Sequence, residues 1–401
     1  MNILVFNCGS SSLTYKLFEV EGARDAKVIL SGKAHRVGVK GKEPSFIEHY
    51  FQKQVHKDTT SIRSHNQAAV LILRHINENG ISIDYIGHRF VNGGAHFNKS
   101  VFIEKDVLKK LYLCLPLAPI HNPVILEVIQ ECAKKFPHIK QYVTFDTAFH
   151  SSIPYYAYTY ALPKKIIQKF GFRKYGFHGL SYSYIAKIVP KILRDPSNKI
   201  KIVACHLGTG GSSVAAIDGG VSIDNSMGYS PLPGHIMSTR CGDIDPMLAI
   251  YLMATYGYRP DYLMNMLNKE SGLLGISGFS SDIRDIIHRI TKEGEQASLA
   301  LDMYIHRLKK YIGSYIAILG GIDALVFTDD IGLRSPIIRE KVCENMEWCG
   351  IDLDERLNRK AVGATISILN TKRSQVSVVS LPTEEELAIC LEGLKLLRSK
   401  K

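Results

Sequence analysis

The chain alternates short β-branched apolar runs with longer stretches in which apolar residues recur every three or four positions, the signatures of buried strands and of helices. Ile3-Leu4-Val5-Phe6 reads as a strand and ends in a turn of glycine and serine, Asn7-Cys8-Gly9-Ser10-Ser11-Ser12. Residues 202–213, IVACHLGTGGSS, repeat that order: a strand-like run, a turn of Gly, Thr and Ser, then a second strand-like run. Gly9 and Gly208 stand 208 − 9 = 199 positions apart in a chain of 401, about half its length. Strand-then-glycine turns are common, so coincidence is one reading. Duplication is the other: two related α/β domains, each with a hairpin tip of backbone N–H and hydroxyl groups suited to a phosphate chain. A third strand, Ala324-Leu325-Val326-Phe327-Thr328, leads into Asp329-Asp330-Ile331-Gly332.

Between the strands, Asn122-Pro123 predicts a helix start, with Asn122 as cap and Pro123 in the first turn, running on through Ile125, Val128, Ile129 and Cys132. Residues 295–319 place apolar side chains at Leu299, Met303, Leu308, Ile312, Tyr315 and Leu319, and Gly320-Gly321 stop that helix. Glu384 to Leu397 forms a last one. Interleaved strands and helices without a low-complexity linker predict α/β architecture, and the length exceeds one core, so two domains are expected.

Composition narrows the function classes. Apolar residues are 45% and charged ones 22%, as in globular proteins. Fifty Lys and Arg against 38 Asp and Glu leave +12, a balance that fits nucleic acid, an acidic surface or a small anionic substrate. The charges are scattered, clustering only at Arg398, Lys400 and Lys401, which argues against nucleic acid. The start of the chain lacks a signal-peptide pattern, no apolar run approaches the ~18 residues that span a bilayer, and the eight cysteines show neither C-x-x-C nor zinc spacing. A cytoplasmic protein with reduced thiols and no membrane association is expected.

There is no P-loop, no completed G-x-G-x-x-G, no H-E-x-x-H and no G-x-S-x-G. What stands out is polar residues set in otherwise apolar or glycine-rich stretches: GHRFVNGG (87–94), APIHNP (118–123), FDTAFH (145–150), YGFHG (175–179) and STRCGDIDP (238–246). With NCGSSSL, CHLGTGGSS, DNSMGYSPLPG, KESGLLGISG, SSDIRD and PTEEELAI, these make a chain that resembles the acetate kinases from about residue 2 to residue 390.

The resemblance implies an α/β fold of two duplicated actin/ribonuclease-H-like domains around a central cleft, residues 1–148 with 386–401 and residues 149–385. It implies transfer of a phosphoryl group to acetate, or another short carboxylate, giving acetyl phosphate. Such a nucleophile is ionised at pH 7 and needs no general base; alignment and charge stabilisation remain for the protein to supply. Arg89, Asp146, His178 and Arg240 match the family's catalytic set, with a planar guanidinium suited to carboxylate or phosphoryl oxygens. Arg89, Val91, Ile120, His121, Phe177 and Pro231 match the substrate site. Its small apolar pocket separates acetate from propionate by only ~1–3 kcal/mol. Phosphate or nucleotide contact falls to Ser10, Ser12, Thr14, Lys16, His206, Gly208, Thr209, Gly210, Ser212, Asp282, Arg284, Asp330 and Ile331. Asn7 and Glu385 match the positions associated with Mg²⁺, or Mn²⁺ in its place. A homodimer is implied as well.

Four departures from the family pattern stand in these motifs. Thr14 takes the place of a lysine, with Lys16 on the same strand face as the nearest cation. Asn92 replaces a histidine, and Thr209 replaces an asparagine. The adenosine loop, normally Gly-Gly-Ile-Gly-Glu-Asn, reads Asp329-Asp330-Ile331-Gly332-Leu333-Arg334. Two carboxylates in place of glycines take up room and bring negative charge toward a polyanion. Either an adjusted loop still binds ATP, with Asp282 and Arg284 retained, or the adenosine pocket is out of use. The combination SSSLTYK, LGTGGSS, MSTRCGD and VFTD-x-x-GL resembles the pyrophosphate-linked branch, which works with orthophosphate and pyrophosphate in place of ADP and ATP. A non-catalytic metabolite-binding relative is a rival reading, against which the retained charged set argues.

Overall fold

The computed structural model describes every residue except Ser10, Ala23, Arg24, residues 40–42, Lys53, Asn198, Lys400 and Lys401. Ser10, expected at the first phosphate hairpin, therefore lies outside the described residues. The chain forms two compact units, Met1–Phe149 with Glu384–Lys401, and His150–Thr383. Glu384 and Glu385, which the sequence reading put at the end of the second domain, belong to the first unit.

The first unit holds the strands β1 (Asn2–Cys8), β2 (Ser12–Glu21), β3 (Asp25–His35), β4 (Phe46–Phe51), β5 (Gln54–Thr59), β6 (Tyr85–Phe90), β7 (Val101–Phe102) and β8 (Lys140–Phe145). They form one sheet in the order β5-β4-β3-β2-β1-β6-β8-β7. The second unit holds β9 (Lys201–Gly208), β10 (Gly211–Asp218), β11 (Val221–Asn225), β12 (Ala324–Thr328), β13 (Ser367–Ile368) and β14 (Ser377–Ser380), ordered β11-β10-β9-β12-β14-β13.

The two sheets repeat one connectivity. In β3-β2-β1-β6-β8 the successive pairings are antiparallel, antiparallel, parallel and parallel. In β11-β10-β9-β12-β14 they are the same. Gly9 and Gly208 close the equivalent hairpins, so coincidence gives way to duplication. The β4–β5 hairpin has no counterpart in the second sheet among the described residues.

Ile3 to Phe6 are wholly buried because β1 is an interior strand covered on both faces. On β2, Leu13, Tyr15 and Leu17 turn into the core, leaving Ser12, Thr14 and Lys16 on the more exposed face. The helix Asn122–Lys135 begins as expected, but Asn122 does not cap it. Its buried amide accepts from Asn92 N (3.3 Å) and donates to Asn92 O (3.0 Å) and Cys114 O (2.7 Å), stitching that helix to the segment after β6.

The pattern over 295–319 belongs to a longer helix, Ile283–Leu319, broken at Gly294 (φ 54°). Leu299 and Met303 face outward, because the inward face is built on Ala297, Ala300, Leu301 and Tyr304 before it reaches Leu308, Ile312 and Tyr315. The last helix, Glu385–Arg398, packs on the first sheet, where Tyr142 Oη donates to Ile389 O (3.0 Å) and the missing side chain of Gly393 leaves room for the Tyr142 ring. Among the described residues, no helix is long and apolar enough to cross a membrane.

Candidate active site

In the first unit, Arg89 lies near the C-terminal end of β6 and Asp146 directly follows β8, its parallel neighbour. This is the edge where α/β sheets offer side chains to ligands. The guanidinium makes a bidentate contact with the buried Asp146 carboxylate, Nη2 to Oδ2 at 2.6 Å and Nε to Oδ1 at 3.1 Å. Nη1 donates to Asn7 Oδ1 (3.0 Å). Asn7 Nδ2 donates to Glu385 Oε2 (3.1 Å) and Glu386 Oε1 (2.9 Å), and Lys16 Nζ reaches Glu384 Oε2 (2.5 Å) and Glu386 Oε2 (3.3 Å). Burial disfavours the charge of Arg89, but Asp146 and then Glu385 outweigh it and raise its pKa. The expected site residues Asn7, Lys16, Arg89, Asp146 and Glu385 thus form one network.

Two members of that network, Glu384 and Glu386, escaped the sequence reading. Three successive glutamates opening a helix were the visible signal. Lys16 is committed to two of them, so its ammonium is already paired where it was expected to stand in for a phosphate-binding lysine. Asn92, wholly buried, has a structural use: its Oδ1 accepts from Gly94 N (2.9 Å), and its backbone is clasped by Asn122. Val91 and His121 flank that clasp. Val91 is buried, whereas Ile120 is exposed. A cavity of about 800 Å³ in this unit is lined by Tyr85, Phe102, Leu108, Ile129, Leu394 and Leu397 among others, and by none of the site residues.

In the second unit, the β9–β10 turn brings Gly208, Thr209, Gly210 and Gly211 to a tip. A Cβ on Gly211 would stand 3.1 Å from Arg240 Nη1 and 3.7 Å from His178 Nε2, so the absence of a side chain keeps open the space that these two groups border. His178 sits in the left-handed region (φ 59°) just before the helix Gly179–Ile192, a strained backbone of the kind that aims functional side chains. Its Nδ1 lies 2.8 Å from Ser213 Oγ, which is also 2.6 Å from Tyr182 Oη. Ser213 and Tyr182 are buried and were not foreseen.

Arg240 is partly buried and has no carboxylate partner among the described residues. Its Nη1 meets only Pro231 O (3.5 Å) and Met237 Sδ (3.7 Å), and burial lowers its pKa. A planar guanidinium with no carboxylate on it is chemically suited to an oxyanion. Phe177, also expected at the substrate, is buried, and its carbonyl accepts from His150 Nε2 (2.9 Å).

The loop after β12 folds as a short helix, Asp329–Arg334. Asp329 is left-handed (φ 62°), and its Oδ1 accepts from Asp330 N (2.8 Å). Its Oδ2 lies 3.0 Å from His206 Nε2 and fills the space that a side chain on Gly208 would need. His206 stacks on His178 with ring centroids 4.1 Å apart, and its Nδ1 lies 2.9 Å from Ser181 Oγ. Ser212 Oγ turns back to donate to Gly208 O (3.2 Å). Asp282 and Arg284 pair with each other (2.7 Å), and Asp330 lies 3.8 Å from Arg284 and 3.6 Å from Arg334. Ile331 departs from expectation: its side chain is 1% exposed in the core, leaving only its backbone for a ligand. Arg339, wholly buried, braces the turn by donating to Gly332 O (2.7 Å), and burial pulls its pKa to about 10.

The acetokinase family profile matches residues 2–391. The chain belongs to the acetokinase family. It is 45% identical to the acetate kinase of Entamoeba histolytica, whose crystal structure it matches at a TM-score of 0.90 over 99% of this chain and 100% of that one. A propionate kinase structure from Francisella tularensis matches at 35% identity and 0.87, with 98% of each chain covered. The acetate kinase of Thermoanaerobacter pseudethanolicus is 41% identical over the full length of both chains. The enzyme is an acetate/propionate kinase-type phosphotransferase with the actin/ribonuclease-H-like fold.

Acetokinase chemistry calls for a divalent cation, and the first unit offers a fitting donor set. Asp146, Glu384, Glu385 and Glu386 face Arg89 and Lys16, a formal balance of 2 − 4 = −2. With the Asn7 carbonyl, the donors are all oxygen, as Mg²⁺ prefers. The eight thiols take no part. Six are buried, and burial pushes Cys8, beside Asn7, up to about 12.

Proposed function

We propose that this acetokinase moves a phosphoryl group between acetyl phosphate and orthophosphate, giving acetate and pyrophosphate, and runs the same reaction in reverse. The observation that carries this reading is Asp329. Its carboxylate occupies the surface of the phosphate hairpin at Gly208, where the family pattern has a glycine loop for adenosine. The neighbouring charges, Asp282, Arg284, Asp330 and Arg334, are engaged with one another. A donor without base or ribose has no need of that surface.

In this account Arg240 and His178 stabilise the charge on the transferring phosphoryl group, and Ser213 orients His178. Thr209, Gly210 and the Ser212 segment supply hairpin donors. Arg89, aligned by Asp146, binds substrate oxygens. Asn7 and Glu385 hold Mg²⁺ or Mn²⁺, which neutralises phosphate charge when bound. Val91 and His121 in the first unit, and Phe177 and Pro231 in the second, keep the acetate-binding roles that the family pattern gives them. A cytoplasmic homodimer completes the reading, supported by the helix Pro246–Tyr256, which buries none of its residues and exposes Met247, Leu248, Tyr251 and Tyr256.

The ATP/ADP-linked reaction is the second reading, favoured by the retention of Asp282 and Arg284. Trapping acetyl phosphate with hydroxylamine separates the two. Acetate with Mg²⁺ and pyrophosphate should yield hydroxamate faster than acetate with Mg²⁺ and ATP, and the opposite order would establish the second reading.

A further inference from the structure

The β4–β5 hairpin, present only in the first sheet among the described residues, carries a histidine cluster that the phosphotransfer reaction does not use. His49 on β4 lies opposite His56 on β5, and Asp58 follows two residues later on the same face. His75, on the helix His65–Glu78, stacks on His49 with ring centroids 3.8 Å apart and planes 19° from parallel.

One ring nitrogen of His49, one of His75 and one oxygen of Asp58 lie within 4.8 Å of one another. His49 is 1% exposed, and its Nε2 is buried without a hydrogen bond, although Asp58 Oδ2 stands 3.3 Å away. A buried ring nitrogen left unsatisfied beside a carboxylate calls for an explanation. The outer contacts resemble those around metal ligands. His49 Nδ1 lies 2.6 Å from Tyr15 Oη, Asp58 Oδ1 lies 2.6 Å from His56 Nε2, and Asn79 Nδ2 lies 3.4 Å from His75 Nε2.

We propose that His49, Asp58 and His75 bind a Zn²⁺-class divalent ion, which clips the edge hairpin to the helix. Two imidazoles and a carboxylate suit Zn²⁺, Ni²⁺ or Co²⁺ and discriminate against Mg²⁺, which prefers all-oxygen shells. Ligands of a four-coordinate zinc are about 3.4 Å apart, so the present spacing closes by small side-chain rotations. Water takes the fourth position.

The test uses the full chain without a histidine tag, stripped with EDTA and returned to millimolar Mg²⁺ so that the oxygen-lined network is filled. Zn²⁺ is then titrated alone, with calorimetry and elemental analysis as readouts, and Co²⁺ is added separately for its visible spectrum. The expected result is one Zn²⁺ per chain, a raised Tm and a four-coordinate Co²⁺ spectrum. His75→Ala and Asp58→Asn should each weaken Zn²⁺ binding at least tenfold and remove the Tm gain, while Mg²⁺-dependent turnover persists. Failure of wild type to retain Zn²⁺ in the presence of Mg²⁺, or wild-type Zn²⁺ affinity in both variants, would overturn the site and leave His49 as a core histidine held by Tyr15.

Discussion

The carboxylate of Asp329 reaches His206 Nε2 at 3.0 Å and, in doing so, covers Gly208 at the tip of the second hairpin. Asp329 adopts a left-handed backbone (φ 62°), which glycine accepts without cost. Asp329→Gly with Asp330→Gly should therefore fold normally and clear the hairpin surface. If the carboxylates exclude nucleotide, kcat/KM for ADP rises at least tenfold over wild type, while that for orthophosphate changes less. An unchanged ADP value would place the donor preference elsewhere.

Arg89 and Arg240 should part company in stability. Arg240→Ala removes a guanidinium that has no anionic partner among the described residues, so Tm holds or rises. The loss of a preorganised donor still costs about 2.7–4 kcal/mol of activation free energy, or 10²–10³-fold in turnover. Arg240→Lys should not restore it. Arg89→Ala leaves Asp146 buried and unpaired and should destabilise by about 3–5 kcal/mol as well as slow turnover. Thermal melts beside steady-state kinetics check both. Equal Tm losses would mean that Arg240 has a partner in solution.

Ser213 holds His178 Nδ1 and Tyr182 Oη on one oxygen. Ser213→Ala should lower kcat with little change in the acetyl phosphate KM, because the imidazole loses its orientation and the substrate keeps its contacts. A pure KM effect would show that Ser213 serves binding and not the transfer step.

Stability should fall with acid for a stated reason. Burial holds His88 and His150 near pKa 4 and His235 near 3, well below the ordinary 6.5. The folded state keeps these rings neutral, whereas the unfolded chain protonates them. Their contribution is thus complete above about pH 6.5, declines as pH falls below that value, and is gone by about pH 4 to 3. Melts from pH 7 to pH 4 should show a declining Tm with net proton uptake on unfolding. A flat Tm across that window would contradict the burial of these rings.

Removal of divalent metal by EDTA should abolish turnover, and excess Mg²⁺ should restore it. Glu385→Gln should raise the Mg²⁺ concentration for half-activity by about 10–100-fold, the range found when a carboxylate in or around a metal shell is lost. Activity persisting in EDTA would remove the metal from the account.

The strand-and-hairpin skeleton was legible in sequence because it rests on local signals: β-branched runs ending at Gly9 and Gly208, and glycines closing helices. The charged set was legible because its members sit in apolar or glycine-rich stretches that match the family's motifs. Less visible was whatever depends on long-range pairing. Asn122 reads as a cap by its neighbours, but the fold uses its amide to bind Asn92, thirty positions away. Leu299 and Met303 carry the right period and face outward, because alanines suit the crowded side of that helix. Glu386 and Ser213 gain meaning only once Asn7 and His178 are placed against them, and Ile331 is claimed by the core.

The rates of acetyl phosphate consumption with Mg²⁺ and either orthophosphate or ADP, measured on one preparation, test the central claim most directly. The account predicts a larger kcat/KM with orthophosphate, with pyrophosphate appearing mole for mole with acetate. An ADP value exceeding the orthophosphate value by tenfold, about 1.4 kcal/mol in barrier height, would contradict it and make this an ATP-linked acetate kinase.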